Sequence, residues 1–214
     1  MPLGDSITYG VGSTTGGGYR IELLRKVRAS GRQITFVGFE TSGPKTLDGQ
    51  PFPQDNEGHS GFTIDNAPSA GRDGISTLVA NTLQQNKPHV VLLMIGTNDV
   101  DNKVDLANAP TRLGKLIDSI TTQSPDALLV VAQIIPTQQD DENKLVKAYN
   151  DAIPGVVSQR HDAGKHVFMV DMYTPFFSNP SFKSQYMDDY LHPNDAGHAV
   201  MAGVWFAAVG GLFH

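Results

Sequence analysis

Short apolar, β-branched runs recur along the chain at Ile34–Gly38, His89–Ile95, Ala127–Ile135 and His166–Val170, each of the length of a buried strand. The stub Met1–Leu3 predicts a further strand at the start. Between these runs the apolar positions change to helical spacing, as in Tyr19, Leu23, Leu24 and Val27, then Ile75, Leu78, Val79 and Leu83, then Leu113, Leu116, Ile117 and Ile120. Ser124-Pro125 closes the third of these helices, because the residue before a proline is driven out of the helical region. Pro193-Asn194-Asp195 opens a last helix through Ala199, Val200, Val204 and Trp205. Strands alternating with helices favour right-handed crossovers and a parallel sheet covered on both faces. The expected architecture is α/β: a three-layer αβα sandwich around a flavodoxin-like, doubly wound parallel five-stranded sheet of order 2-1-3-4-5. A single domain is expected over residues 1–214.

The stretch Phe39–Asn66 interrupts this rhythm, being rich in Gly, Pro, Ser and Asp and too long for an ordinary connection. Loops of this kind often carry function. In a doubly wound sheet the ligand crevice lies beyond the carboxyl ends of the strands. The residues just after Leu3, Gly38, Ile95, Ile135 and Val170 are therefore the first candidates for chemistry.

Composition narrows the function classes. The formal charge of −6 comes without any run of Lys or Arg, leaving no electrostatic footprint for a phosphate backbone or an anionic membrane. Nucleic acid and membrane are not expected partners. The absence of cysteine excludes disulfides, thiolate nucleophiles and Cys-ligated zinc. No HExxH or paired histidine spacing points to a metal-dependent hydrolase. Asp99, Asp101 and Asp105 lack EF-hand spacing and read as a solvated acidic loop. The triple glycine before Tyr19 and Arg20 lacks the ending of a phosphate-binding loop, and Arg20 reads as a helix-opening residue. No basic and apolar leader precedes the first strand, so an export signal has either been removed or is not used.

Three blocks could carry chemistry. Gly4-Asp5-Ser6-Ile7-Thr8 follows the first strand and places a hydroxyl at the carboxyl edge of the sheet; the same residues also suit a plain turn and helix cap. Gly96-Thr97-Asn98-Asp99 stands at the same edge, where an Asn amide can donate to a developing oxyanion. In Asp189-Tyr190-Leu191-His192-Pro193 an acid stands three residues before a histidine, a spacing that lets the carboxylate hold one imidazole nitrogen and leave the other for a nucleophile. Asp188 competes with Asp189 for that role, and the offset to His192 favours Asp189. Asp5 adjoins the candidate nucleophile and could orient its turn. His59 either lines the pocket or is a solvated loop residue.

Taken in order, GDS, the glycine of His59-Ser60-Gly61-Phe62, GTND and DxxHP resemble the SGNH (GDSL-type) hydrolase superfamily over nearly the whole chain. Gly61-Phe62-Thr63-Ile64, Met1 to Thr8 and Leu191-His192-Pro193-Asn194 look most like its carbohydrate esterase family 3 subgroup. The resemblance implies Ser6 as nucleophile, His192 as general base and Asp189 as the acid of the triad. It implies an oxyanion hole formed by Ser6, Gly61 and Asn98, with Gly58 as a competing backbone donor in the same loop. It further implies a secreted, extracellular and monomeric acetyl xylan esterase that removes acetyl groups from xylan or a related plant polysaccharide. No cofactor is required, and a structural calcium is compatible but has no located ligands. A lysophospholipase or thioesterase of the same superfamily and a catalytically silent glycan-binding module are the alternatives.

Overall fold

The computed structural model describes residues 1–212. The first strand, β1 (Pro2–Gly4), turns directly into the short helix α1 (Ser6–Tyr9), and α2 follows at Tyr19–Ala29. The long glycine-rich stretch then holds β2 (Glu40–Thr41), the hairpin strands β3 (Thr46–Leu47) and β4 (Gln50–Pro51), and β5 (Asp55–Gly58). Beyond it come α3 (Val79–Asn86), β6 (Val90–Met94), α4 (Thr97–Asp101), α5 (Ala109–Gln123), β7 (Leu128–Ala132), α6 (Asp140–Asp162) and β8 (Val167–Val170). The short helices α7 (Thr174–Phe177) and α8 (Phe182–Gln185) lead to α9 (Asp195–Val209).

The central sheet has the order β2-β5-β1-β6-β7-β8. Its parallel part, β5-β1-β6-β7-β8, reproduces the expected 2-1-3-4-5 winding, with Leu3 in register with Glu57 on one side and Leu93 on the other. The sheet is six-stranded and not five-stranded, because β2 pairs antiparallel with the outer edge of β5. Covering one free edge with a two-residue strand limits edge-to-edge pairing.

The strand expected at Ile34–Gly38 is a further correction, since that segment forms no ladder. Its Phe36 is buried, and Ile34 and Val37 pack against the core, so its apolar character serves side-chain burial. The place beside β1 goes to Asp55-Asn56-Glu57-Gly58, whose polar residues show no strand-like apolar signal. Asp55 is exposed, and the buried Asn56 and Glu57 tolerate burial because each finds partners. The Asn56 amide donates to Glu40 O, Ser42 Oγ and Gln54 O, while its oxygen accepts from the Gly58 N–H. Glu57 accepts from Thr82 Oγ1 at 2.6 Å and the Phe39 N–H at 2.9 Å. Buried polar groups with full partners cost little.

The helix expected from Ile75 to Leu83 begins as a 3₁₀ turn at Ile75–Thr77 before α3. The expected helices at Tyr19, Leu113 and Asp195 form α2, α5 and α9. α2 and α9 pack together through Tyr19 and the fully buried Trp205, whose rings lie 5.9 Å apart. α6 contains Pro154, which cannot donate to the Asn150 carbonyl one turn back. Gln133 Nε2 reaches that carbonyl at 3.3 Å instead. Among the described residues, no helix is long and apolar enough to cross a membrane.

Candidate active site

Ser6 is the first residue of α1, set at the carboxyl end of β1 by a turn whose cap is Asp5. The Asp5 carboxylate accepts the Ile7 N–H at 3.0 Å, satisfying one of the donors that open a helix. Ser6 itself is largely buried, at 7% exposure. Asp5 is fully buried, and burial raises its carboxyl group to about 6, against the opposing pull of the Ile7 N–H and the His192 imidazole.

Ser6 Oγ lies 2.9 Å from His192 Nε2, across 186 residues of chain. His192 Nδ1 lies 2.8 Å from Asp189 Oδ2. With Nδ1 protonated toward the carboxylate, Nε2 presents its lone pair to the hydroxyl, as proton abstraction from Ser6 requires. The other Asp189 oxygen accepts the N–H groups of Leu191 and His192 at 2.7 and 2.6 Å. Burial pushes the Asp189 carboxyl upward, but its bonds to the imidazole and these two N–H groups outweigh that and hold it below the usual range. Asp188 takes no part in this cluster: its N–H donates to the His192 carbonyl at 2.9 Å. Asn194 caps α9 by accepting the Gly197 N–H, which fixes the chain just beyond His192.

A loop from α1 approaches the same segment. Gly12 has φ +85, and a Cβ there would lie 2.3 Å from the Pro193 carbonyl oxygen and 3.1 Å from His192 Cβ. Only glycine fits a position that combines left-handed backbone with so close an approach.

The three sequence-predicted oxyanion donors stand on three different connections. Asn98 belongs to α4 and donates one amide hydrogen to the Phe62 carbonyl at 2.9 Å, tying the β6 turn to the Gly61 loop. Among the described residues the N–H groups of Ser6 and Gly61 donate to no protein acceptor. The Gly58 N–H is taken by Asn56 Oδ1 at 2.9 Å, so of the two glycines of that loop Gly61 has the free N–H. Gly96 has φ +122 and packs against the Tyr149 ring, whose hydroxyl donates to the Ile95 carbonyl at 3.0 Å. The turn that carries Asn98 is thus braced from α6.

Several acidic and basic residues differ from the sequence expectation. Asp99 is fully buried and not part of a solvated loop: it accepts from Arg112 Nη1 at 2.5 Å and from the Ile64 N–H at 3.0 Å. Burial raises its carboxyl group against these bonds. Arg20 is also fully buried, donating to the carbonyls of Gln54, Tyr9 and Ser42, with Phe36 and Phe52 rings beside its guanidinium. His59 is fixed between Glu57, at 2.7 Å from Nε2, and the Phe62 ring, stacked at 4.8 Å. No local pattern marks Asp99 and Arg20, since their partners lie on other elements, whereas His59 is held by neighbours two and three residues away. Among the described residues, no group of three or more His, Cys, Asp or Glu side chains converges as a metal site.

Comparison with known proteins gives the arrangement a family. A multidomain esterase of Ruminococcus flavefaciens is 31% identical over 227 aligned residues, covering 99% of this chain and 28% of the relative. The solved family 3 carbohydrate esterase of Clostridium thermocellum is 35% identical with a TM-score of 0.82, covering 99% of this chain and 94% of that one. An acetyl esterase mutant solved with an acetate ion is 26% identical with a TM-score of 0.76, covering 98% and 95%. The chain spans 28% and 54% of the lengths of the two curated relatives it matches. The pattern of the GDSL-like Lipase/Acylhydrolase family matches residues 3–200, nearly all of the described fold, and the chain belongs to that family.

Proposed function

We propose that this chain is a serine esterase that removes acetyl groups from acetylated xylan or a related plant polysaccharide outside the cell. The observation that carries the reading is the continuous hydrogen-bonded path from Ser6 Oγ through His192 to Asp189, at 2.9 and 2.8 Å. In the first step Ser6 Oγ bonds to the ester carbonyl carbon as its proton passes to His192 Nε2. The carbonyl π electrons move to an oxyanion, received by the N–H groups of Ser6 and Gly61 and the free amide hydrogen of Asn98. The bond to the alcohol oxygen then breaks, and the His192 proton goes to that oxygen. Water, deprotonated by His192, attacks the acyl-enzyme, and the proton returns to Ser6 as acetate leaves. Asp189 holds the imidazole tautomer and stabilises its cationic form. The chemistry uses no cofactor.

The acetyl group and the glycan are supported by the family 3 carbohydrate esterase and the acetyl esterase among the similar structures. Acetate release from acetylated xylan, assayed beside p-nitrophenyl acetate, butyrate and octanoate, tests both. Acetate release together with a preference for the acetyl ester is the expected result. A preference for octanoate would favour the lysophospholipase or thioesterase reading, and xylan binding without turnover of any ester would favour a silent binding module.

A further inference from the structure

We propose that the cavity beside the Gly61 loop is a subsite for a neutral sugar ring, belonging to the alcohol part of the ester. This rests on the esterase reading above and adds where the glycan sits. The cavity, about 340 Å³, is lined by Tyr9, Glu40, Gly58, His59, Ser60 and Phe62, at the lower end of the range for small-ligand sites. None of the candidate catalytic groups lines it, but covalent and hydrogen-bonded links tie its walls to them. Tyr9 ends the helix that Ser6 begins, Ser60 immediately precedes Gly61, and the Phe62 carbonyl accepts the Asn98 amide. An acetyl group has no use for so much room with so polar a lining. The moiety accommodated is therefore the one that distinguishes one alcohol from another.

The lining combines flat rings with hydrogen-bonding groups, which is the chemistry of a pyranose. The C–H faces of a sugar pack on aromatic surfaces, and its hydroxyls require donors and acceptors around the edge. His59 and Phe62 stack at 4.8 Å with 28° between their planes, and Tyr9 supplies another ring. Glu40 and the Ser60 hydroxyl supply polar contacts on exposed or half-exposed side chains. Glu40 Oε1 lies 3.7 Å from His59 Nδ1, too far for a hydrogen bond between them. The wall is preorganised from behind: Glu57 is 1% exposed and binds His59 Nε2 at 2.7 Å, while Thr82 and the Phe39 N–H hold Glu57. A ring fixed in this way loses little freedom when a sugar docks.

Charge selects among sugars. Glu40 lines the cavity and Glu57 stands behind His59, while neither Lys nor Arg is among the lining residues. A uronic acid would bring its carboxylate against Glu40, so the site takes a neutral pyranose such as xylose and rejects an acidic one.

The test uses Glu40→Gln, and Glu40→Gln with Ser60→Ala, both on accessible side chains, with two readouts. In calorimetric titration, xylotriose should bind the wild-type chain and bind Glu40→Gln about tenfold more weakly. A galacturonic acid trimer should bind the wild type more weakly than xylotriose. In turnover, the ratio of kcat/KM for acetylated xylotriose to that for phenyl acetate should fall about tenfold in Glu40→Gln, mainly through KM, and further in the double variant. The subsite is overturned by any one of three results: no xylotriose binding to the wild type, an unchanged ratio in both variants, or equal losses on both esters. Failure of the esterase reading is seen separately, as a wild-type chain that binds xylotriose and loses that binding in Glu40→Gln but hydrolyses no ester.

Discussion

Asp189 shows how a single side chain organises a site. One oxygen receives two backbone N–H groups of its own turn and the other receives the His192 ring, so both the loop and the imidazole are set by the same carboxylate. Asp188, one position earlier, contributes only its backbone N–H. Ser6→Ala and His192→Ala should each lower kcat on phenyl acetate by several orders of magnitude with the circular dichroism spectrum unchanged. Asp189→Asn should cause a large but smaller loss, because Asn keeps part of the turn while favouring the wrong tautomer. A mild loss at Asp189 beside a severe one at Asp188 would place the acid on the wrong residue. The three-residue offset from Asp189 to His192 was legible in the sequence because the contact it produces is local. The buried roles of Asp99 and Arg20 were not, because exposure of a charged residue depends on elements distant along the chain.

At the scale of elements, α6 does more than cover the sheet. The Asn150 side chain donates to the Ile134 carbonyl at 2.8 Å and accepts the Ile134 N–H at 2.9 Å. Asn143 makes the same paired contact to the Thr137 N–H and carbonyl, each at 2.8 Å. These two amides pair backbone groups that leave the sheet after β7, where no strand is available. Asn150→Ala would strand a buried donor and a buried acceptor together. The expected cost is about 2–4 kcal/mol of unfolding free energy, read by urea denaturation. A change within about 0.5 kcal/mol would show that water replaces the amide there. The same helix supports the Asn98 turn through Tyr149, so architecture and candidate site share one brace.

Two buried titratable groups give the whole molecule opposing responses to pH. His198 donates from Nε2 to the Val11 carbonyl, and burial lowers its imidazole from 6.5 to about 4. The unfolded chain therefore takes up a proton first: the stability that neutral His198 lends is complete above about 6.5 and is lost as pH falls toward about 4. Asp5 runs the other way, raised by burial from 3.8 to about 6, so its contribution is complete below 3.8 and lost as pH rises through about 6. Relative to wild type, His198→Asn should gain stability on acidification from 6.5 to 4, and Asp5→Asn should gain on going from 3.8 to 6. Each gain should approach about 3 kcal/mol in denaturation curves collected across that range. Parallel pH profiles for wild type and variant would exclude that residue as the source.

The amino-acid sequence by itself determined the alternation of strands and helices, the 2-1-3-4-5 winding and the short motifs at the strand ends. Burial periodicity and local turn chemistry are written in neighbouring residues, and right-handed crossovers leave few ways to connect them. Tertiary structure alone decided that the strand beside β1 is the polar segment Asp55–Gly58 and not the apolar Ile34–Gly38. A polar strand is buried only when distant groups satisfy it, and those partners exist only once the chain has folded. The meeting of Ser6 with His192 likewise belonged to the fold, since 186 residues of chain separate two groups that lie 2.9 Å apart.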